Sequence, residues 1–150
     1  MRKRGFTLVE IMIVVMIIAL LVGIAIPSLL RSRLTANEAV AQAALNTVAT
    51  AEVAYRSGNA QYGTLAQLGA PAAGPAYIDS VLANGAKSGY NFVPSDIGTD
   101  AFHCSAVPVT PNVTGVRSFC VTEDGVVRFQ AAGGAIASRA ACLALPPTNP

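Results

Sequence analysis

The hydrophobic residues of this chain are concentrated in one run near the N-terminus. Residues 11–26 carry no polar side chain, and extending the run back to Phe6 adds only Thr7 and Glu10 as interruptions. About 20 apolar residues rising about 1.5 Å each can cross a hydrocarbon core of about 30 Å. The pattern therefore predicts a membrane-spanning helix. Glu10 is unusual in it, because a carboxylate within a membrane span is costly and marks a functional site by default. The alternative is a glutamate near the membrane interface whose carboxylate reaches the lipid headgroups.

The helical pattern continues beyond the apolar run to residue 57. Apolar residues recur every seven positions from Leu34 to Tyr55, and alanine supplies 8 of the 20 residues in 35–54. Such a helix can pack on its own domain, on neighbouring helices, or on both through opposite faces. Ser57-Gly58-Asn59 predicts its end, with Gly58 as the left-handed cap.

The remaining residues predict strands and loops, because glycine and proline make up 19 of the 93 residues in 58–150. A loop over 59–86 with a short helix near 78–83 is expected first. Four strands follow, at 89–93, 101–107, 117–122 and 126–130. A tight turn at Glu123-Asp124-Gly125 joins the last two strands. The expected fold is α+β, with a four-stranded antiparallel sheet packed on the distal half of the long helix.

Composition narrows the possible functions. Charged residues are 12% of the chain, about half of the usual share, which argues against both a disordered protein and an ordinary cytosolic enzyme. Three of the ten positive residues lie in the leader 2–4, which leaves 10 − 3 = 7 positive against 8 negative residues. Strong nucleic-acid binding is therefore not expected, because it depends on neutralising phosphates.

The N-terminal residues carry a family signature. Residues 2–10 are Arg-Lys-Arg-Gly-Phe-Thr-Leu-Val-Glu, and the apolar run and Pro27 follow. This order resembles the class III signal of type IV prepilins and pseudopilins. The resemblance implies that a prepilin peptidase cleaves between Gly5 and Phe6 and methylates the new N-terminus at Phe6. It also implies that Glu10 neutralises the Phe6 ammonium of a neighbouring subunit during assembly.

Gly23 and Pro27 fit the same family. Pro27 removes a backbone donor, and Gly23 lowers helix propensity by about 1 kcal/mol. The stretch 19–26 could therefore lose helical bonds when subunits pack into a filament. The alternative is a simple proline kink in a membrane helix. We assign Glu10, Gly23 and Pro27 to assembly.

The resemblance implies a domain order and a function. The expected parts are a cleaved leader 1–5, a transmembrane and filament-core helix 6–28, an amphipathic helix 29–57 and a β head 58–150. The protein would be a structural subunit of a type IV pilus, not an enzyme, and would need no cofactor. It would sit in the inner membrane as a single-pass precursor before joining a surface filament.

The implied partners are other copies of the chain in a homopolymer, the prepilin peptidase, the pilus assembly machinery and the membrane before assembly. Two alternatives stay open: the major pseudopilin of a type II secretion system, and a minor pilin acting as a membrane-anchored binding module. Segments 87–92, 115–119 and 123–128 are similar to bacterial pilin heads, which favours the pilus.

The three cysteines, Cys104, Cys120 and Cys142, lie beyond the membrane segment, in a compartment that permits disulfides. If the second and third strands form a hairpin centred near Asn112, Cys104 faces Cys120, and this is the pairing we favour. Cys142 is then free, or it is the alternative partner and pins the C-terminal tail. A one-residue slip of the register would send the sulfurs of Cys104 and Cys120 to opposite faces.

Other candidate chemistry is weaker. His103 and Cys104 are strand neighbours that point to opposite faces, so they cannot form a catalytic dyad. Three cysteines and one histidine could bind zinc, but their spacing lacks a close cysteine pair, so no metal site is predicted. Residues 95–100 could hold a cation, although a turn is favoured. Asn112-Val113-Thr114 matches an N-glycosylation acceptor in the predicted loop.

Overall fold

A computed structural model describes residues 5–148 of the chain. Its longest element is helix α1, Leu8–Asn59, which is helical through Pro27. The Thr7 hydroxyl accepts a hydrogen bond of 3.2 Å from the Glu10 amide and so caps the start of the helix. The described residues divide into two units, 5–33 and 34–148, with the boundary inside α1. The second unit is called the head from here on, and it contains the second half of α1 together with the predicted β head.

Helix α1 ends two residues later than predicted, and Gly58 is not its left-handed cap. The residue with positive φ is Ala60, at 56°, and its amide donates to the Arg56 carbonyl at 2.8 Å. Tertiary contacts fix this position. Tyr62 is buried against Phe102, with ring centroids 4.8 Å apart, and its hydroxyl accepts from the Arg56 guanidinium at 3.1 Å. The chain therefore turns where Tyr62 can return to the core.

Two short helices lie between α1 and the sheet. Helix α2, Leu65–Gly69, begins with a capping box formed by Thr64 and Gln67 and was not predicted. Helix α3, Ser80–Ala83, lies within the predicted short helix. The Asp79 carboxylate caps α3 by accepting from the Leu82 amide at 2.6 Å.

The sheet has five antiparallel strands in chain order, and the α+β class is confirmed. The strands are β1 Ala86–Lys87, β2 Tyr90–Ser95, β3 His103–Pro108, β4 Ser118–Thr122 and β5 Arg128–Gln130. The predicted number of four is corrected to five, because β1 was not predicted. Strand β1 has two residues, too few for an alternating pattern, and it pairs with β2 across a turn at Ser88-Gly89.

One face of the sheet packs on the second half of α1. Strand residues on this face share near-complete burial; they are Phe92, Cys104, Ala106, Phe119 and Val121. The helix contributes mostly small and aliphatic residues; they are Ala41, Ala44, Leu45, Val48, Ala49 and Ala51. Alanine at the helix surface lets the sheet approach closely, so this core is shared by α1 and the sheet.

The C-terminal segment covers part of the opposite face of the sheet. It contains helix α4, Arg139–Leu143, whose start is capped by the Ser138 hydroxyl. Cys142 of α4 packs with Cys120 and Ile136 in a second buried cluster. The segment after the last strand is thus anchored to the sheet by the buried Ile136 and Cys142, where the sequence predicted only a tail.

Candidate functional site

The first half of α1 presents an exposed apolar surface. All residues from 5 to 33 are exposed, and the large apolar side chains range from 45% exposed at Val22 to 80% at Phe6. Helix α1 is long and apolar enough to cross a membrane by length and composition. A continuous apolar surface of this extent needs lipid or protein to cover it.

The predicted processing and assembly residues lie at the start of this surface. Gly5, Phe6 and Glu10 are all exposed, and Glu10 is in the first turn of α1. The basic leader residues 1–4 lie outside the described part of the chain. Thr7 was noted in the sequence only as part of the N-terminal signature, and in the structure it caps the start of α1. The Thr-x-x-Glu spacing to Glu10 is the signal that could have identified this capping role.

Gly23 and Pro27 are four residues apart, which is the spacing of the donor and acceptor of one backbone hydrogen bond in an α-helix. In an α-helix the amide of residue 27 would donate to the carbonyl of residue 23, and Pro27 has no N–H to donate. A Cβ added at Gly23 would meet nothing within 4 Å, so no contact among the described residues requires a glycine there. The chain alone is helical across 19–26, and the predicted loss of helical bonds in a filament stays a prediction.

In the head, Glu38 of α1 fixes the loop between β3 and β4. One carboxylate oxygen accepts from the amides of Val116 and Arg117 at 3.0 and 3.1 Å, and the other accepts from the Arg117 guanidinium at 2.7 and 2.9 Å. Burial alone would raise the pKa of Glu38, but these bonds outweigh burial and hold the pKa below its ordinary value. Next to it, the Asn37 amide donates to the Thr114 carbonyl at 2.9 Å.

A second carboxyl group of α1, that of Glu52, is buried with fewer hydrogen bonds than that of Glu38. Glu52 is 1% exposed, and its carboxylate accepts from the Gly63 amide at 2.9 Å. Burial raises the pKa of Glu52 to about 7, and the bond from Gly63 offsets only part of that rise. Glu52 is thus a group that changes charge near neutral pH inside the head.

The predicted Cys104–Cys120 disulfide does not form. The disulfide joins Cys120 to Cys142, with Cα atoms 6.0 Å apart, and Cys104 is a buried free thiol. In the register of β3 and β4, Cys104 faces Val121, and Cys120 faces Ser105. The register is one residue away from the predicted one, so the two sulfurs lie on opposite faces of the sheet. Cys142, predicted as the alternative partner, takes the bond.

The reason for the shift lies in the loop between the strands. Residues 109–117 are held to α1 by Glu38 and Asn37, and the Arg117 carbonyl accepts from the Tyr90 hydroxyl at 2.9 Å. These contacts come from elements distant in sequence. The hairpin therefore is not symmetric about Asn112, although the turn residues would allow it.

His103 lies on the same face as the disulfide. One of its ring nitrogens and the sulfurs of Cys120 and Cys142 lie within 4.8 Å of one another. Its Nδ1 is 2.7 Å from the Ser95 hydroxyl, while Nε2 is buried without a hydrogen-bond partner among the described residues. Burial lowers the pKa of His103, and the nearby Asp96 carboxylate opposes this shift. The sequence analysis considered these residues as metal ligands and predicted no site, because they are distant in sequence and meet only through strand pairing and α4.

The other weak candidates have ordinary structural roles. In segment 95–100, the Asp96 carboxylate accepts from the Arg139 amide at 2.8 Å, and Asp100 pairs with Arg56 at 3.0 Å. Both carboxylates thus have protein partners, which supports the turn interpretation. Asn112 is exposed at the tip of the loop with a φ of 63°, and its glycosylation stays a prediction.

Comparisons with known proteins agree with the N-terminal signature. Residues 1–26 match the family model described as the prokaryotic N-terminal methylation motif. The chain is similar to the type IV wide pilus major component PilA4 of Thermus thermophilus. The two are 42% identical over 59 residues, which is 39% of this chain and 45% of that protein.

A second similar protein is the type IV major pilin protein PilA of Myxococcus xanthus. It is 38% identical over 65 residues, which is 43% of this chain and 30% of that protein. The matches thus span less than half the length of these curated relatives. The resemblance to type IV pilins that the sequence predicted is confirmed.

Proposed function

We propose that the chain is the structural subunit of a type IV pilus and polymerises through the first half of α1. The observation that carries this proposal is the exposed apolar surface of residues 6–30, with Glu10 in its first turn. In a membrane this surface faces lipid, and in a filament it faces the same helices of other copies. The match to the methylation motif over residues 1–26 supports the proposal.

The proposed order of parts follows the sequence prediction. A prepilin peptidase removes residues 1–5, and Phe6 becomes the N-methylated first residue of the mature chain. Residues 6–28 hold the precursor in the inner membrane and later line the filament core. Residues 29–57 join this segment to the β head, 58–150, which faces outward on the cell surface.

The chemistry of assembly rests on one pair of charges. In a packed helical core, the Phe6 ammonium and the Glu10 carboxylate are each costly alone and tolerable as a pair. A subunit seated one step out of register would leave both charges unpaired, so the pair selects the register. The assembly machinery of the inner membrane would supply the precursor to the growing end, and no enzymatic activity is proposed.

Both relatives are named as major pilus components, which supports the pilus over the pseudopilus of a type II secretion system and over a minor pilin. The two filament types differ in length. Electron microscopy of intact cells and of sheared filaments, with mass spectrometry of the subunit, tests the assignment. Long surface filaments made mainly of this chain are expected. Short fibres confined to the periplasm would contradict the pilus assignment.

Intact mass tests the processing step separately. Subunits from purified filaments should have the mass of residues 6–150 plus one methyl group and minus two hydrogens for the disulfide. Replacing Gly5 by Val should leave the leader attached, because the residue before the cut is then too large for a peptidase that takes glycine. Replacing Leu8 by Ile is the matched control and should be processed normally. Filament subunits that retain residues 1–5 would contradict the proposal.

A further inference from the structure

The face of the sheet opposite α1, which the C-terminal segment partly covers, brings together three side chains that soft metal ions favour. These are the imidazole of His103 on β3, Cys120 on β4 and Cys142 on α4, and all three are buried. In the register of the sheet, His103 faces Thr122, so Cys120 is its diagonal neighbour on the same face. The disulfide occupies the two sulfurs in the oxidised chain. In the reduced chain they are free to act as ligands.

His103 is oriented as metal-binding histidines are. Its Nδ1 lies 2.7 Å from the Ser95 hydroxyl, and a proton on Nδ1 donated to Ser95 leaves the lone pair on Nε2. Within the described part of the chain, Nε2 is a buried atom without a hydrogen-bond partner. A histidine that binds a metal through one nitrogen commonly donates its other N–H to a neighbouring oxygen, which fixes the ring. Ser95 is placed for that role.

The position of Cys142 does not depend on the disulfide alone. The Arg139 guanidinium pairs with Glu123, and the Arg139 amide donates to Asp96 at 2.8 Å. Beyond α4, the Phe129 amide donates to the Pro146 carbonyl at 3.1 Å, and the Thr148 amide to the Val127 carbonyl at 2.9 Å. These bonds flank Cys142 on both sides. Reduction therefore leaves the two thiols close to each other and to His103.

We propose that, when Cys120 and Cys142 are both thiols, they and His103 Nε2 bind a thiophilic d¹⁰ ion such as Zn²⁺. Two thiolates, one imidazole and a water complete the four-coordinate arrangement that zinc adopts at open sites. Binding releases two thiol protons to solvent and involves no change of oxidation state. Metal binding and the disulfide exclude each other, because each uses both sulfurs.

The proposed metal site is independent of the proposed pilus function. It belongs to the chain before an oxidant converts the two thiols to the disulfide. Cys104 takes no part, because it lies on the opposite face, in the main core. The spacing of the cysteines along the sequence lacks a close pair, and here the fold supplies the proximity instead.

Cobalt binding to the full chain in detergent tests the proposal. The chain is reduced with excess phosphine, and Co²⁺ is added, because cobalt thiolates absorb strongly in the near ultraviolet. We expect one Co²⁺ per reduced chain, displacement by Zn²⁺, and no absorbance in the oxidised chain. Far-ultraviolet circular dichroism and limited proteolysis check in parallel that the reduced chain is folded.

Three variants separate the proposed ligands from other groups. Cys104→Ala is the matched control and should keep the full absorbance. His103→Ala removes a proposed ligand and should weaken Zn²⁺ binding by at least about tenfold. Losing only a hydrogen-bond partner of a ligand already costs about that much, so losing the ligand itself should cost no less. Ser95→Ala should weaken it about tenfold without removing a ligand.

Several outcomes would overturn the site. A reduced chain that shows no cobalt–thiolate absorbance, or that binds only after losing its fold, rules it out. An affinity for Co²⁺ and Zn²⁺ that is unchanged in His103→Ala, or a cobalt absorbance that is lost in Cys104→Ala, would place the metal elsewhere. If His103→Ala does not fold, the reduced and oxidised forms of the native sequence and Ser95→Ala still decide the question.

Discussion

The two halves of α1 use apolar side chains in opposite ways. From residue 8 to 30 the helix carries mostly Ile, Leu, Val and Met, and all of them are exposed. From residue 38 to 55 Ala is the commonest residue, with 7 of 18 positions, and nine residues are buried against the rest of the head, four of them Ala. The large side chains are thus left for partners outside the chain, while the small ones let the sheet of the same chain approach.

The carboxyl groups of α1 show the same contrast. Glu38 and Glu52 are buried and accept hydrogen bonds from the loops that they hold. Glu10 is exposed in the apolar half, where a partner from a neighbouring subunit is proposed. The second half of α1 therefore packs on the sheet of its own chain, while the first half is proposed to pack on neighbouring subunits. Substitutions can test each half without disturbing the other.

The largest effect is expected at Glu10. Glu10→Leu should insert into the membrane at least as well as the native chain, because a charge is removed from the span. It should nevertheless lower filament yield by about a hundredfold or more, since an unpaired buried charge costs about 3–5 kcal/mol. Sheared filaments are quantified against the membrane pool of mature subunit. Ile11→Leu is the matched control, and normal filaments from Glu10→Leu would show that Glu10 only sits at the interface.

The next effect concerns the head alone. Cys142→Ser removes a disulfide whose cysteines are 22 residues apart, and this should lower the free energy of unfolding by about 3 kcal/mol. Cys104→Ala removes a buried thiol and should cost about 1 kcal/mol. Guanidinium unfolding is followed by near-ultraviolet circular dichroism, since the four tyrosines all lie beyond residue 54. Equal losses would mean that the bond adds nothing beyond packing.

The disulfide also shows what the sequence can and cannot predict. The long helix, the order of four strands and the turn before β5 follow from periodicity and turn residues, which are local signals. The pairing of Cys120 depends on a register set by Glu38, Asn37 and Tyr90, which contact the loop from distant elements. A shift of one residue in the pairing of β3 and β4 moves Cys104 to the opposite face from Cys120, so that Cys142 and not Cys104 forms the disulfide with Cys120.

The contrast between local sequence signals and contacts distant in sequence also explains which candidate sites could be predicted. The N-terminal site was predicted because its residues are consecutive, from Gly5 to Glu10, and form a recognisable pattern. The group of His103, Cys120 and Cys142 is spread along the sequence and meets only in the fold. Helix α4 was missed because five residues rich in alanine give no helical period.

Glu38→Gln tests whether the buried carboxylate of Glu38 holds the loop between β3 and β4. It should cost about 2–3 kcal/mol, because hydrogen bonds from Arg117 and two amides to a charged acceptor are weakened. Hydrogen exchange of the Val116 and Arg117 amides should accelerate more than exchange in β3. Asp100→Asn, at an exposed ion pair with Arg56, is the control and should cost under about 1 kcal/mol. An equal effect of the two variants would contradict a role for Glu38 in holding the loop.

The smallest effect is expected from the titration of Glu52. Burial raises the pKa of Glu52 in the folded head to about 7, above its ordinary value of 4.5. Between these values the folded state holds the proton more tightly than the unfolded state does. The stability that this proton contributes is full below about pH 4.5 and is lost as the pH rises through about 7. Between pH 5 and 8 the loss should be about 2 kcal/mol.

His103 acts in the opposite direction and must be separated from Glu52. Burial lowers the pKa of His103 in the folded head, so the unfolded state gains protons more readily as the pH falls, and folding loses stability. The raw stability profile of the native chain therefore understates the Glu52 contribution. The difference between the native chain and Glu52→Gln isolates it, because Gln can still accept from Gly63 and has no proton to release. That difference should change by about 2 kcal/mol from pH 5 to 8, in the direction that favours the variant at high pH. A difference that does not vary with pH would mean that Glu52 keeps its ordinary pKa and that its burial is offset by contacts stronger than the Gly63 hydrogen bond.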